Sequence, residues 1–233
     1  MKPIYEPKGR AKEYGDLALN IYTGCTHRCT YCYAPNVLKK TREDFFTNVE
    51  PRKNILEATK KQLAGGEYEG KLIHLCFTCD PYPTGIDTSI TREIIKAIKD
   101  AGANVQILTK GGLPTFRDLD LLDKNDWVGT TITGGFGHEV WANGPGGRLK
   151  LLRSAKRIGL KTWVSCEPVF EESAIYDLIR NSDYIDLFKI GKLNYHPSDI
   201  NWGEFGRECE RLCKEHHRNY YIKEDLRKEV KNG

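Results

Sequence analysis

Short apolar runs alternate along this chain with stretches whose apolar residues recur at helical spacing. The runs are LALNIY (17–22), KLIHLCF (71–77), NVQILT (104–109), WVGTTIT (127–133), KTWVSC (161–166) and YIDLFKI (184–190). Each has six or seven residues and is rich in β-branched and aromatic side chains, which predicts buried strands. Between them, PRKNILEATKKQLA from Pro51, SITREIIKAIKDAG from Ser89, GRLKLLRSAKRIG from Gly147 and EESAIYDLIRN from Glu171 predict amphipathic helices. Asp87 and Thr88 stand where a cap of the second helix belongs, and Gly102 and Gly159 where two helices close. Later, NWGEFGRECERLCKEHH predicts a helix, and NYYIKEDLRKEV a final short strand and helix.

Strands alternating with helices form βαβ units, whose right-handed crossovers keep the helices outside a parallel sheet. Six such units predict an α/β fold, a partial (β/α)6 barrel of TIM type with outer helices. Residues 1–16 are polar and broken by Pro3, Pro7, Gly9 and Gly15, so they predict a tail or covering arm. No Pro- or Ser-rich linker follows, and residues 17–233 predict a single domain. In such folds sites gather on the loops after the strands. Here those loops carry three cysteines, then TCDPYPTG, KGG, GGFGHE and EPVFEE, which predict one shared rim.

Charge narrows the partners only a little. The net charge is +4, from 36 basic and 32 acidic residues, which neither announces nor opposes a polyanionic substrate. The N-terminus lacks an apolar signal region, and no stretch approaches a membrane span, so a cytoplasmic protein without membrane contact is expected. With a core of its own, the chain has no need of disulfides from its eight cysteines. In a reducing compartment, clustered thiols more often bind metal or do chemistry.

The cluster is TGCTHRCTYCYAP (23–35), with Cys25, Cys29 and Cys32 on one short loop. Thiolates bind zinc or iron–sulfur clusters. A structural zinc site needs four ligands, and His27, the remaining candidate, would have to fold back sharply onto the same ion. Three cysteines on a cubane of four irons leave one iron open for a non-protein ligand.

CxxxCxxC after the first strand of a βα barrel, with Tyr31 just before the third cysteine, resembles the radical S-adenosylmethionine superfamily. The stretch TCDPYPTGIDTSITREIIKAIKDAGANVQILTKGGLPTFRDLDLL, with SCEPV and KIGKLNYH, is similar to the spore photoproduct lyase-like (DNA repair photolyase-like) branch, from about residue 17 to 200. The resemblance implies an enzyme with a [4Fe–4S] cluster on Cys25, Cys29 and Cys32. Such an enzyme cleaves S-adenosylmethionine to a 5′-deoxyadenosyl radical and abstracts hydrogen from a substrate. It also implies cofactor contacts: the Tyr33 backbone at the adenine, Asp80 at the amino or ribose groups, Lys110 at the carboxylate, Thr131, and Glu167 by position. Cys79 and Tyr82 of the TCDPYP stretch are the candidate catalytic residues. A reducing partner such as flavodoxin or ferredoxin is implied, as is a nucleic acid substrate carrying a thymine lesion or modified pyrimidine. A peptide or small metabolite, or a zinc- or cluster-stabilised nucleic-acid-binding module, are the alternatives. The branch's lyases have a cysteine three residues before the strand-two aspartate, where this chain has Phe77.

Other roles compete for several residues. Asp80 before Pro81 can open a turn, Lys110 can be a solvated loop residue, and Glu167 can cap the next helix. By strand alternation Cys76 faces the core, while Cys79 shares the inward face with Phe77. Cys209 and Cys213, near His216 and His217, suit packing or a metal clip.

Overall fold

The computed structural model describes residues 2–135 and 137–232; Met1 of the arm, Phe136 of the GGFGHE loop and Gly233 lie outside them. Seven strands pair in sequence order, all parallel: β1 (Leu17–Leu19), β2 (Leu72–Leu75), β3 (Asn104–Thr109), β4 (Trp127–Thr131), β5 (Lys161–Cys166), β6 (Leu187–Ile190) and β7 (Tyr220–Ile222). The edges β1 and β7 do not pair, so the barrel is partial. The seventh strand is the short NYYI segment, which extends the six-unit barrel by one strand.

Register explains why the strands read as apolar runs. Leu19, Leu75, Ile107, Val128, Val164, Phe188, Ile190 and Ile222 face outward and are fully buried under helices. The opposite, concave face carries His74, Gln106, Trp163, Ser165 and Lys189. Gly129 makes room there: a Cβ would meet the Trp163 indole at 2.2 Å. The indole crosses the concave face, and its N–H donates to Ile107 O at 3.0 Å.

The outer helices are α3 (Ile55–Leu63), α4 (Ser89–Asp100), α6 (Pro145–Arg157), α7 (Glu172–Asn181), α8 (Trp202–Glu215) and α9 (Glu224–Asn232). Helix α4 buries Thr91, Ile94, Ile95 and Ile98 on one stripe. Asp87 accepts from Ser89 N–H at 2.8 Å and caps α4, whereas the Thr88 side chain makes no capping bond. Gly102 and Gly159 end α4 and α6 with φ of 72° and 84°. Helix α6 begins at Pro145, ahead of Gly147, because proline suits a first turn that needs no N–H. Short helices α1 (Ala34–Val37), α2 (Arg42–Thr47) and α5 (Leu113–Arg117) fill the rim loops. Cys209 and Cys213 are fully buried in the main core and serve as packing. No described helix is long and apolar enough to cross a membrane.

The N-terminal arm spans the open side. Tyr5 pairs antiparallel with Ala18 on the β1 edge, with N–H···O distances of 3.0 and 2.9 Å. At the other end Glu13 accepts from Glu224 N–H at 3.0 Å, and Arg10 pairs with Asp225 at 2.9 Å. Between these anchors Tyr14 enters the concave face against His74, Phe77 and Trp163, and Lys189 donates to Glu13 O and Tyr14 O.

Candidate active site

The cysteine loop leaves the carboxyl end of β1 and is fixed at three points. Gly24 lies against α2, where a Cβ would meet Phe45 O at 2.2 Å. That approach lets Cys25 N–H reach the same carbonyl at 3.1 Å. Arg42 donates to the carbonyls of Cys29, Thr30 and Cys32 at 2.7, 3.1 and 3.2 Å. Opposite, residues 27–30 run antiparallel to 138–141: Thr30 N–H donates to His138 O at 2.8 Å, Cys29 bridges Glu139, and Trp141 N–H donates to His27 O at 3.1 Å. The GGFGHE loop, expected on the shared rim, is at its His138–Glu139 end a partner of the cysteine loop.

Behind this ribbon lies a buried ion pair that sequence reasoning did not single out. Arg148 Nη1 meets Glu139 Oε2 at 2.5 Å, with the side chains 2% and 7% exposed. Arg148 also donates to Thr131 O at 2.9 Å and Asn143 O at 2.6 Å, while Tyr31 hydroxyl donates to Glu139 Oε1. A signal existed: Arg148 lies on the buried stripe of α6 with Leu151, Leu152 and Ala155. An arginine on such a stripe needs a partner.

Asp80 sits 6% exposed between the loops after β2 and β3. Its Oδ1 accepts from Tyr82 N–H at 2.8 Å and Thr109 hydroxyl at 2.5 Å, and its Oδ2 from Lys110 N–H at 2.7 Å. His27 Nδ1 stands 3.5 Å from Oδ2. This carboxylate ties the loops after β2 and β3 together. Lys110 Nζ, by contrast, has no hydrogen bond or ion pair among the described residues and lies 5.8 Å over the Tyr31 ring. Burial opposes its charge, but Cys29, Glu139 and Asp80 prevail and raise its pKa.

The other predicted residues are placed differently. Thr131 is buried at the end of β4 beside Arg148. Tyr33 is 51% exposed, and its hydroxyl donates to Phe77 O at 2.7 Å. Glu167 faces inward at the end of β5 but caps no helix: it binds Arg10 at 2.5 Å, Tyr14 hydroxyl at 3.0 Å and Lys223. Cys79 does not share the inward face with Phe77. Phe77 stacks on His74 at 4.3 Å on the concave side, whereas Cys79 accepts from Tyr22 N–H at 3.4 Å and faces Cys76 beside the core. The strand ends at Leu75, so alternation stops before Cys79. Burial raises the Cys79 pKa, but Cys76 and the Tyr22 N–H outweigh it and leave the thiol lowered. Tyr82 is 1% exposed, its side chain buried in the sheet–helix core with Asp118 and Arg117 as charged neighbours.

The cysteines suit a cluster better than a single ion. Among the described residues no three Cys, His, Asp or Glu side chains converge on one ion position, while three thiols on one clamped loop can each take a separate iron. Burial pushes all three thiols up, Cys29 to about 11, so metal must displace their protons.

An open parallel α/β barrel with a triple-cysteine loop after its first strand defines the class, and the sequence places the chain within it. The chain belongs to the Radical SAM superfamily, whose pattern matches residues 19–166. Membership implies an enzyme that uses S-adenosylmethionine and a [4Fe–4S] cluster. An uncharacterized protein of Acidianus two-tailed virus is 33% identical over 75% of this chain and 63% of its own length. One from Methanocaldococcus jannaschii is 29% identical over 73% and 66%. This chain thus spans just under two thirds of either relative. Among solved structures, spore photoproduct lyase complexed with dinucleoside spore photoproduct superposes with a TM-score of 0.69 at 16% identity, over 93% of this chain and 78% of that one. Streptococcus suis SuiB bound to precursor peptide SuiA gives 0.65 at 15% identity, over 92% and 51%. Both likenesses are of fold.

Proposed function

We propose that this chain is a radical S-adenosylmethionine enzyme acting on a nucleic acid base, a thymine lesion or a modified pyrimidine. The observation that carries the enzyme class is the loop of Cys25, Cys29 and Cys32, clamped by Arg42 and by residues 138–141 at the rim of the superfamily's barrel. Held by Cys25, Cys29 and Cys32, a [4Fe–4S] cluster would supply the electron for reductive cleavage of S-adenosylmethionine and so the radical chemistry for hydrogen abstraction from the substrate. The cysteines hold the cluster, and Lys110 Nζ offers a cation to the cofactor's carboxylate. Thr131 and the backbones of Tyr33 and Glu167 line the cofactor, while Tyr14, Phe77 and Trp163 keep the concave face dry. Cys79 and Tyr82, set back from that face, act through the loops they support. The electron comes from a partner such as flavodoxin or ferredoxin.

Support for a base comes from the rim, where exposed aromatics stand beside arginines. Trp141 is 57% exposed with the Arg28 guanidinium 5.5 Å away, and Tyr195 is 89% exposed with Arg10 at 6.0 Å. Aromatic faces beside cations stack unpaired bases. The test is deuterium transfer from labelled oligonucleotides into 5′-deoxyadenosine. Enrichment supports the reading; transfer from a peptide or small metabolite, with none from oligonucleotides, moves the substrate to that class.

A further inference from the structure

The turn after β2 brings two thiols together that the proposed chemistry does not use. Asn20 Oδ1 accepts from Phe77 N–H and Thr78 N–H, each at 2.8 Å, so the chain pivots on one amide oxygen. The Phe77 ring goes to the concave face, while Cys76 and Cys79 turn toward each other and their thiols share a hydrogen bond.

The two sulfurs have different surroundings. Cys76 is 5% exposed beside the core, and burial pushes its thiol up. Cys79 is partly exposed and accepts from Tyr22 N–H at 3.4 Å. Arg52 brackets it, with Nε donating to Tyr22 O at 3.1 Å and Nη2 to the Thr78 hydroxyl at 3.2 Å. Burial opposes the Cys79 thiolate, but the Cys76 thiol, the Tyr22 N–H and the Arg52 charge favour it. Reactive thiols are partly exposed in electropositive surroundings, whereas buried ones are inert. A packing pair is buried on both sides, as Cys209 and Cys213 are. This pair has one sulfur of each kind.

We propose that Cys76 and Cys79 form a reversible thiol–disulfide exchange site, with Cys79 attacking and Cys76 resolving, whose oxidant is a low-molecular-weight disulfide. The Cys79 thiolate attacks one sulfur of the small disulfide and forms a mixed disulfide. The other half leaves as a thiolate and takes a proton. Cys76 then gives up its proton and attacks the Cys79 sulfur, which closes the internal disulfide and releases the second half as a thiol. Two electrons pass from the pair to the oxidant, and excess small thiol runs the sequence backwards. Cys25, Cys29 and Cys32 take no part, so the site stands whether or not the chain cleaves S-adenosylmethionine.

The test uses anaerobically reconstituted protein incubated with glutathione disulfide, quenched by alkylation, digested with trypsin and read by mass spectrometry. Residues 72–92 come off as one peptide that holds Cys76 and Cys79 and no other cysteine. In wild type this peptide should acquire an internal disulfide, and excess glutathione should restore both thiols. The native chain should oxidise there at least about tenfold faster than the same chain in urea, where Cys79 loses Arg52 and the Tyr22 N–H. Cys76→Ser should stop at a glutathione adduct on Cys79, whereas Cys79→Ser should give no adduct on Cys76. No internal disulfide in wild type, a native rate no faster than that in urea, or an adduct on Cys76 but none on Cys79 would overturn the inference. The wild-type readings decide it even where a serine variant fails to fold.

Discussion

Arg148→Ala removes one half of a buried ion pair, and the structure sets its cost. The guanidinium lies 2.5 Å from Glu139 Oε2 and donates to Thr131 O and Asn143 O. Without it, the carboxylate keeps only the Tyr31 hydroxyl, and two carbonyls lose a donor. Breaking a buried pair by deleting one partner costs about 3–5 kcal/mol. For a chain of this size each kcal/mol shifts Tm by about 2–4 °C, so the metal-free variant should melt about 6–20 °C lower. Glu139→Gln in the same chain removes the stranded charge but keeps an acceptor for Tyr31, so the double variant should regain part of the loss. The assay is urea unfolding of the four metal-free proteins, read as a double-mutant cycle. The account expects a coupling energy above about 1 kcal/mol, with weakened cluster uptake in Arg148→Ala. Additive effects below that value, with normal cluster uptake, would refute the reasoning that this pair anchors the ribbon behind the cysteine loop.

Three further outcomes follow from the same geometry. Gly24→Ala places a methyl group against Phe45 O, and overpacking of this kind costs about 1–3 kcal/mol; iron uptake should fall while the far-UV spectrum is kept, and normal uptake would show that the loop can shift. Burial, helped by the Lys223 charge, pushes Lys189 down to about 8 from 10.5, so between those values the unfolded chain binds more protons than the fold. Wild type should therefore gain stability relative to Lys189→Met as pH rises from about 8 to about 10, and a flat difference in urea midpoints would contradict it. Because Phe77 stands where the related lyases have a cysteine, and Cys79 is turned toward Cys76, no repair of the thymine dinucleotide lesion above background is expected; efficient multiple-turnover repair would refute that placement.

The sequence displayed the barrel because an open sheet buries its outer face under helices, and that face alone produces apolar runs at regular spacing. It displayed the cysteine loop because three thiols lie within eight residues. What it hid depends on contacts distant in sequence. Arg10 and Glu167, 157 residues apart, meet only when the arm crosses the open side of the barrel. The sequence points to Asp80 as a cofactor ligand but does not show that its carboxylate also accepts from the Thr109 hydroxyl and the Lys110 backbone, about 30 residues on. Alternation misplaced Cys79 because β2 ends at Leu75, and side-chain direction beyond a strand follows the loop. Helix α6 did carry a readable sign in Arg148, a charge on an apolar stripe, but its partner lies in a loop with no periodicity.

The most direct test of the central claim is anaerobic reconstitution followed by dithionite and S-adenosylmethionine, with iron and 5′-deoxyadenosine measured on the same sample. The account predicts about four irons per chain, slow 5′-deoxyadenosine formation without substrate, and loss of both in Cys25→Ala, Cys29→Ala and Cys32→Ala. A single tightly held zinc, with no iron uptake and no 5′-deoxyadenosine, would contradict it.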